Sequence, residues 1–218
     1  MANRWVLLLI PLAYLVGSIP FGLMVGKSRG IDPRTAGSGN IGATNLGRLL
    51  GKKFFALVFT LDLLKGMLPV LVAGALLGFA PHDWRDYLAW LLVGAAAIIG
   101  HMFSVFLAFK GGKGVATSAG VILGVFPYYT LPGLLAVAVW GIVFKTTRYV
   151  SVASMLGAVF FPVAYAGFAL GTSGGGFPHE QWPLLTFAIL MPAMIVYKHR
   201  GNIARLRAGT EGRFAKRT

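Results

Sequence analysis

A chain of 218 residues that is 56% hydrophobic and 12% charged cannot cover a globule with polar groups, since a soluble domain carries about 25% charged residues. Its mean hydropathy of +0.74 points to a polytopic membrane protein. The absence of cysteine excludes disulfides, a thiol nucleophile and cysteine metal sites. The net charge of +14 invites a nucleic-acid reading, which its distribution along the chain then removes.

Apolar runs cover residues 5–25, 54–79, 87–109, 115–126, 128–144, 152–171 and 182–196. Six have spanning or near-spanning length; as a helix, 115–126 would be about 18 Å long against a hydrocarbon core of about 30 Å. The first run is long, is preceded only by Arg4 and lacks a small-residue cleavage site, so it is read as a membrane helix and not a cleaved signal peptide. Gly17-Ser18-Ile19-Pro20-Phe21-Gly22 should bend or thin it. Pro69, Pro162 and Pro192 are tolerable in membrane helices, and the glycine-rich stretch 172–178 reads as a flexible outer loop. The sequence carries no repeat of 20–50 residues.

Charge decides whether the short run crosses. With seven crossings, Lys27, Arg29, Arg34, Arg48, Lys52, Lys53, Lys110, Lys113, Lys145, Arg148, Lys198, Arg200, Arg205, Arg207, Arg213, Lys216 and Arg217 share one side. The other side holds Arg4 and Arg85 with Asp83, Asp86 and Glu180, while Lys65 lies inside a run. A re-entrant 115–126 would send Lys145, Arg148 and the basic tail to the far face. The positive-inside rule therefore predicts an all-α integral membrane protein of seven transmembrane helices in a single domain over 1–218. The amino terminus lies outside and the carboxyl terminus is cytoplasmic. This accounts for most of the charge without nucleic acid. A short helix can still cross if it starts in a cavity lined by protein.

Polar chemistry gathers on the cytoplasmic side in four stretches. Residues 37–48, Gly-Ser-Gly-Asn-Ile-Gly-Ala-Thr-Asn-Leu-Gly-Arg, are glycine-dense and almost free of acid. Consecutive N–H groups unobstructed by Cβ can form a concave anion site, to which Ser38, Asn40, Thr44, Asn45 and Arg48 add side-chain donors. Residues 110–117, Lys-Gly-Gly-Lys-Gly-Val-Ala-Thr, lead glycines into a helix start, where free N–H groups attract anions and Lys113 adds a point charge. Residues 146–154 again enter a helix. In 197–205, His199 and Asn202 lie three apart, so a helical turn puts them on one face.

Each feature has a plainer reading. Gly37, Gly39 and Gly42 satisfy G-x-G-x-x-G with Asp62 twenty residues beyond, but that fingerprint needs a strand–turn–helix unit and the flanks are membrane helices. Residues 111–117 approach a Walker A loop, yet glycine follows Lys113 and no strand precedes it. Lys52, Lys53, Arg213, Lys216 and Arg217 serve topology alone. His199 can be a helix-end histidine satisfied by backbone, Ser151 an N-cap, and His101 a ring packed between helices. Asp62 and Lys65, three apart in a helix, should pair, because each unpaired charge near the bilayer centre costs about 2.5–3.5 kcal/mol. That pair is read as structural, with support of 37–48 as a secondary role. Six scattered acidic residues disfavour a Mg²⁺-bridged phosphoryl-transfer site, so neither metal nor cofactor is expected. No histidine is followed five residues later by aspartate, and a covalent acyl-enzyme is expected to lack a nucleophile.

Together the four stretches resemble the signatures of the bacterial acyl-phosphate:glycerol-3-phosphate acyltransferases (the PlsY type). Ser38-Gly39-Asn40-Ile41-Gly42-Ala43-Thr44-Asn45 with Arg48 is similar to the first signature, and Gly100-His101-Met102-Phe103 running on to residues 110–117 to the second. Arg148-Tyr149-Val150-Ser151, and His199-Arg200-Gly201-Asn202-Ile203-Ala204-Arg205-Leu206 with Gly209 and Glu211, resemble the others. Residues 17–22 and 61–66 also look like family stretches, so the similarity spans nearly the whole chain in order. Leu46-Gly47 before Arg48 and the glycine-rich outer loop depart from it.

The resemblance implies a seven-helix protein of the bacterial inner membrane with a cytoplasm-facing groove. It implies transfer of a fatty acyl group from acyl phosphate to the 1-hydroxyl of glycerol 3-phosphate, giving lysophosphatidic acid and phosphate as the first acylation of phospholipid synthesis. Ser38, Arg48, Lys113, Ser151, His199 and Asn202 would hold glycerol 3-phosphate, with Asn40, Gly42, Thr44 and Asn45 around the acyl phosphate and Gly111 and Gly112 as further substrate contacts. Arg200 or Arg205 would help offset phosphate charge. Direct attack by the substrate hydroxyl, the donor's own phosphate taking the proton, is expected; His199 as general base is the rival. No cofactor, nucleic acid or obligate protein partner is implied. The alternative from another class is a carrier for phosphate or a phosphorylated lipid, against which the missing inverted repeat counts.

Overall fold

In hydrocarbon every backbone N–H and C=O must be satisfied within its own segment, so apolar runs of this length have one outcome, the α-helix. The computed structural model describes residues 4–174 and 178–214. Residues 175–177 of the expected outer loop, and Lys216 and Arg217 of the tail, lie outside them. The described residues are all-helical and fall into two compact units, Met1–Phe126 and Pro127–Thr218.

The first unit holds α1 (Arg4–Ser18), α2 (Phe21–Lys27), α3 (Ala43–Leu50), α4 (Lys52–Leu76), α5 (Trp84–Met102) and α6 (Val115–Gly124). The expected break in the first run falls at Ile19-Pro20, which separates α1 from α2. Helix α5 packs along α1, and α6 along α4. Glycines make these approaches close: a Cβ at Gly100 would strike the Tyr14 carbonyl, and one at Gly66 the Thr117 carbonyl. Asp83 starts α5 by accepting the N–H groups of Arg85 and Asp86.

The second unit holds α7 (Thr130–Thr147), α8 (Val150–Thr172), α9 (Trp182–Lys198) and α10 (Arg200–Arg207). Its core forms around Tyr129, whose ring meets Phe161 and Tyr165 edge-on at centroid distances of 5.0 and 5.2 Å. Its hydroxyl donates to the Leu184 carbonyl, tying the start of α7 to α9.

Six segments among the described residues are long and apolar enough to cross a membrane: Trp5–Lys27, Lys52–Leu76, Trp84–Leu107, Thr130–Thr147, Val150–Thr172 and His179–Lys198. Helix α6 is the shorter apolar one. Exposed leucines, isoleucines and valines line these segments, Ile142 at 65% and Val163 at 66%, as a lipid-facing surface requires.

Candidate functional site

In the first unit the loop between α2 and α3 is organised by one amide. Asn45, only 2% exposed, accepts the Ser38 N–H on Oδ1 at 2.9 Å. Its Nδ2 faces the carbonyls of Pro33, Ala36 and Asn40 at 3.1, 3.1 and 2.8 Å. Gly37 and Gly39, at φ of +61° and +70°, provide the left-handed turns that bring the loop back onto Asn45. Asn40 in turn accepts the Gly42 N–H at 2.9 Å. Ser38, Gly39 and Gly42 therefore spend their N–H groups inside the loop, and not in the inward-pointing array the sequence suggested.

What the loop turns outward is the start of α3 and side chains. The N–H groups of Ala43 and Thr44 open α3 and have no intrahelical acceptor. Thr44 and Arg48 lie four apart on one face, and Arg48 and Ser38 are exposed. The opposite face of α3 buries Ala43 and Leu46 against Val58 of α4, fixing which way Arg48 points. Arg34 is committed elsewhere: its guanidinium reaches Asp32 at 2.6 Å, and hydrogen bonds from Arg34 hold the Asp32 carboxyl down at about 2.

The second glycine loop follows α5. Gly112 N–H donates to the His101 carbonyl at 3.0 Å and Gly111 N–H to that of Met102 at 3.2 Å, so both are pinned to the end of α5. Gly114, at φ of +84°, precedes Val115, and Ser118 N–H is the first to find its helical partner, Gly114 O, at 2.7 Å. Lys113 stands between the pinned glycines and this helix start.

In the second unit, Ser151, Asn202 and Arg205 meet on Glu211. Ser151 Oγ donates to Glu211 Oε1 at 3.0 Å, Asn202 Nδ2 to the same oxygen at 2.7 Å, and Arg205 Nε to Oε2 at 2.8 Å. Ser151 occupies the second position of α8 and Tyr149 is the N-cap, so the capping explanation for Ser151 is wrong. His199 is the junction of α9 and α10 and 3% exposed; its Nδ1 lies 2.8 Å from the Ile195 carbonyl. A carbonyl only accepts, so Nδ1 carries a proton and the neutral ring keeps its lone pair on Nε2. The expected shared face of His199 and Asn202 is present as the first turn of α10. Arg205, one of the two arginines expected to help offset phosphate charge, is paired with Glu211.

Two relationships emerge only in the structure. Glu211 has no role assigned from sequence, although a lone carboxylate between Arg205, Arg207 and Arg213 is a signal for an internal ion pair. The expected Asp62–Lys65 pair forms at 2.8 Å, but His101 joins it, with Nδ1 3.7 Å from Asp62 Oδ1.

A family model described as glycerol-3-phosphate acyltransferase matches residues 7–209. A glycerol-3-phosphate acyltransferase of Roseiflexus sp. (strain RS-1) is 46% identical over 209 residues, covering 95% of each chain. Among solved structures, the glycerol 3-phosphate form of PlsY, an integral membrane glycerol 3-phosphate acyltransferase, superposes with a TM-score of 0.81 at 43% identity over 96% of each chain. Its lysophosphatidic acid form gives 0.79 at 42% identity, over 96% of this chain and 95% of that one.

Proposed function

The chain belongs to the glycerol-3-phosphate acyltransferase family, and on that premise we propose that it acylates the 1-hydroxyl of glycerol 3-phosphate with acyl phosphate as donor. It is an all-helical integral membrane protein. Within the proposal it forms one domain that crosses the inner membrane of a bacterial cell seven times, α6 included, with the amino terminus outside and the carboxyl terminus in the cytoplasm. The one-sided distribution of basic residues supports that orientation.

The observation that carries the reading is the Glu211 cluster, which gathers Ser151 and Asn202 from separate stretches, Asn202 lying one helical turn from His199. Ser151 has given its only proton to Glu211, so toward a ligand it can only accept, which suits a glycerol hydroxyl and not a phosphate. In the neutral ring His199 Nε2 is likewise an acceptor. These are the groups that orient an attacking hydroxyl. Arg48 and Lys113 serve the phosphates, each of which carries nearly two negative charges, with the N–H groups opening α3 and α6 beside them. Ser38, Asn40, Gly42 and Thr44 complete the phosphate contacts. Asn45 acts as the clasp that shapes them, and Gly111 and Gly112, packed against His101 at the end of α5, carry the loop that presents Lys113.

The donor's tail gains about 0.8 kcal/mol per buried CH₂, so it resides in the membrane while glycerol 3-phosphate arrives from water. In the transfer, the 1-hydroxyl oxygen bonds to the acyl carbon and the bond from that carbon to the phosphate oxygen breaks. The hydroxyl proton passes to the departing phosphate. No acyl-enzyme forms, and positioning with charge stabilisation supplies the rate. A second reading, His199 as the base, is favoured by the bond from its Nδ1 to Ile195. Turnover by the purified protein in lipid, supplied with both substrates, tests the proposal.

A further inference from the structure

Three ionisable side chains lie in the apolar interior of the first unit, and the proposed chemistry uses none of them. Asp62, Lys65 and His101 are 3%, 4% and 4% exposed. Lys65 Nζ lies 2.8 Å from Asp62 Oδ1 and donates to the Ile19 carbonyl, also at 2.8 Å, at the break between α1 and α2. Burying ion pairs gives little or no net stability over apolar residues of similar volume, so packing alone does not account for the group.

The other side of the cluster touches the second glycine loop. A Cβ on Gly112 would fall on His101 Nε2, so the imidazole edge is the floor against which Gly112 rests. The same residue's carbonyl holds the Gly112 N–H at 3.0 Å. Directly beyond stand Lys113 and the opening turn of α6, and close approach of Gly66 to the Thr117 carbonyl sets that turn against the helix bearing Asp62 and Lys65.

We propose that Asp62, Lys65 and His101 form a positioning device for the phosphate loop at 110–114. Lys65 ties Asp62 to the α1–α2 break, Asp62 orients the His101 ring, and the ring edge sets the height of Gly112. Lys113 and the N–H groups opening α6 follow. All three are positioning residues. The inference rests on the reading that this loop holds the phosphate of glycerol 3-phosphate.

The test is a cycle in the full-length protein in lipid nanodiscs, comparing His101→Leu, His101→Asn, Gly112→Ala and the double variant His101→Asn/Gly112→Ala. Asparagine keeps a donor where Nδ1 stands and removes the atoms that a Cβ on Gly112 would strike. His101→Leu should raise KM for glycerol 3-phosphate about tenfold or more and leave KM for acyl phosphate within about twofold, since a misplaced contact of this kind costs up to about 10²-fold. His101→Asn, which loses the ring edge, should raise the same KM at least about threefold. Gly112→Ala should be impaired alone and at least about threefold better in the double variant, a coupling that two independent losses cannot give. Additive effects in the cycle, or equal changes in both KM values, overturn the proposal. If the wild-type protein shows no turnover, the functional reading fails by itself. Hydrogen exchange of residues 110–114 then decides the positioning claim: faster exchange in His101→Leu than in wild type supports it, and unchanged exchange overturns it.

Discussion

Ser151 gives its one hydroxyl proton to Glu211, 60 residues further along the chain, at 3.0 Å. The bond joins the start of α8 to the segment after α10, where Phe214 N–H also returns to the Arg148 carbonyl at 2.9 Å. Burial pushes the Glu211 carboxyl up, but hydrogen bonds from Asn202, Arg205 and Ser151, with the charge of Arg205, outweigh it and hold the carboxyl below its ordinary 4.5. A depressed carboxyl contributes stability above its unfolded pKa and loses it as pH falls through the folded one.

Glu211→Gln should therefore lower the melting temperature most at neutral pH, with the gap to wild type narrowing in acid. One amide face then meets Asn202 or Arg205 donor to donor, a buried mismatch that costs about 1–3 kcal/mol. Thermal unfolding in detergent from neutral to acidic pH checks this. An equal melting temperature at neutral pH contradicts it.

Asn45→Ala removes the clasp of the 28–42 loop while leaving every outward side chain in place. We expect faster hydrogen exchange across 33–42, a loss of about 1–3 kcal/mol and a raised KM for substrate. Asn45→Asp should behave similarly, because a carboxylate cannot donate to the carbonyls of Pro33, Ala36 and Asn40. Exchange as slow as in wild type would show that the loop is held by something else.

The helices were legible because apolar length leaves a membrane segment only one structure: every run became helical, the first as α1 and α2, and the run 87–109 ended its α-helix early at Met102. The break at Ile19-Pro20 and the Asp62–Lys65 pair were legible for the same reason: proline lacks its N–H, and unpaired charge in hydrocarbon is costly. The direction in which polar groups face was not legible. Composition marks residues 37–45 as rich in donors, but nothing local says that Asn45 turns its amide inward and takes the Ser38 N–H with it. Glu211 was hidden because its partners Ser151 and Asn202 are brought to it by tertiary packing, and sequence spacing records only Asn202 and Arg205 as neighbours.

Arg48→Lys tests geometry against charge. A guanidinium forks two parallel N–H groups onto a phosphate and an ammonium does not, so the conservative change should still raise KM for a phosphorylated substrate about tenfold or more. Lys113→Ala should do the same for glycerol 3-phosphate. Substrate kinetics at fixed ionic strength measure both, and a KM within twofold of wild type for either variant removes that residue from the phosphate contacts.

His199→Gln separates the two proton acceptors. Transfer to the departing phosphate predicts a fall in kcat of less than about 10²-fold, since glutamine still offers an acceptor near the Nε2 position. A fall of about 10²–10⁴-fold with KM unchanged assigns the base to His199.

The most direct measurement is made on the purified wild-type protein in proteoliposomes given acyl phosphate and glycerol 3-phosphate, with lysophosphatidic acid and inorganic phosphate both quantified. We predict that the two appear in equal amounts, and only when both substrates are present. Movement of phosphate or of a phosphorylated lipid across the bilayer without lysophosphatidic acid would contradict the account and make the protein a carrier.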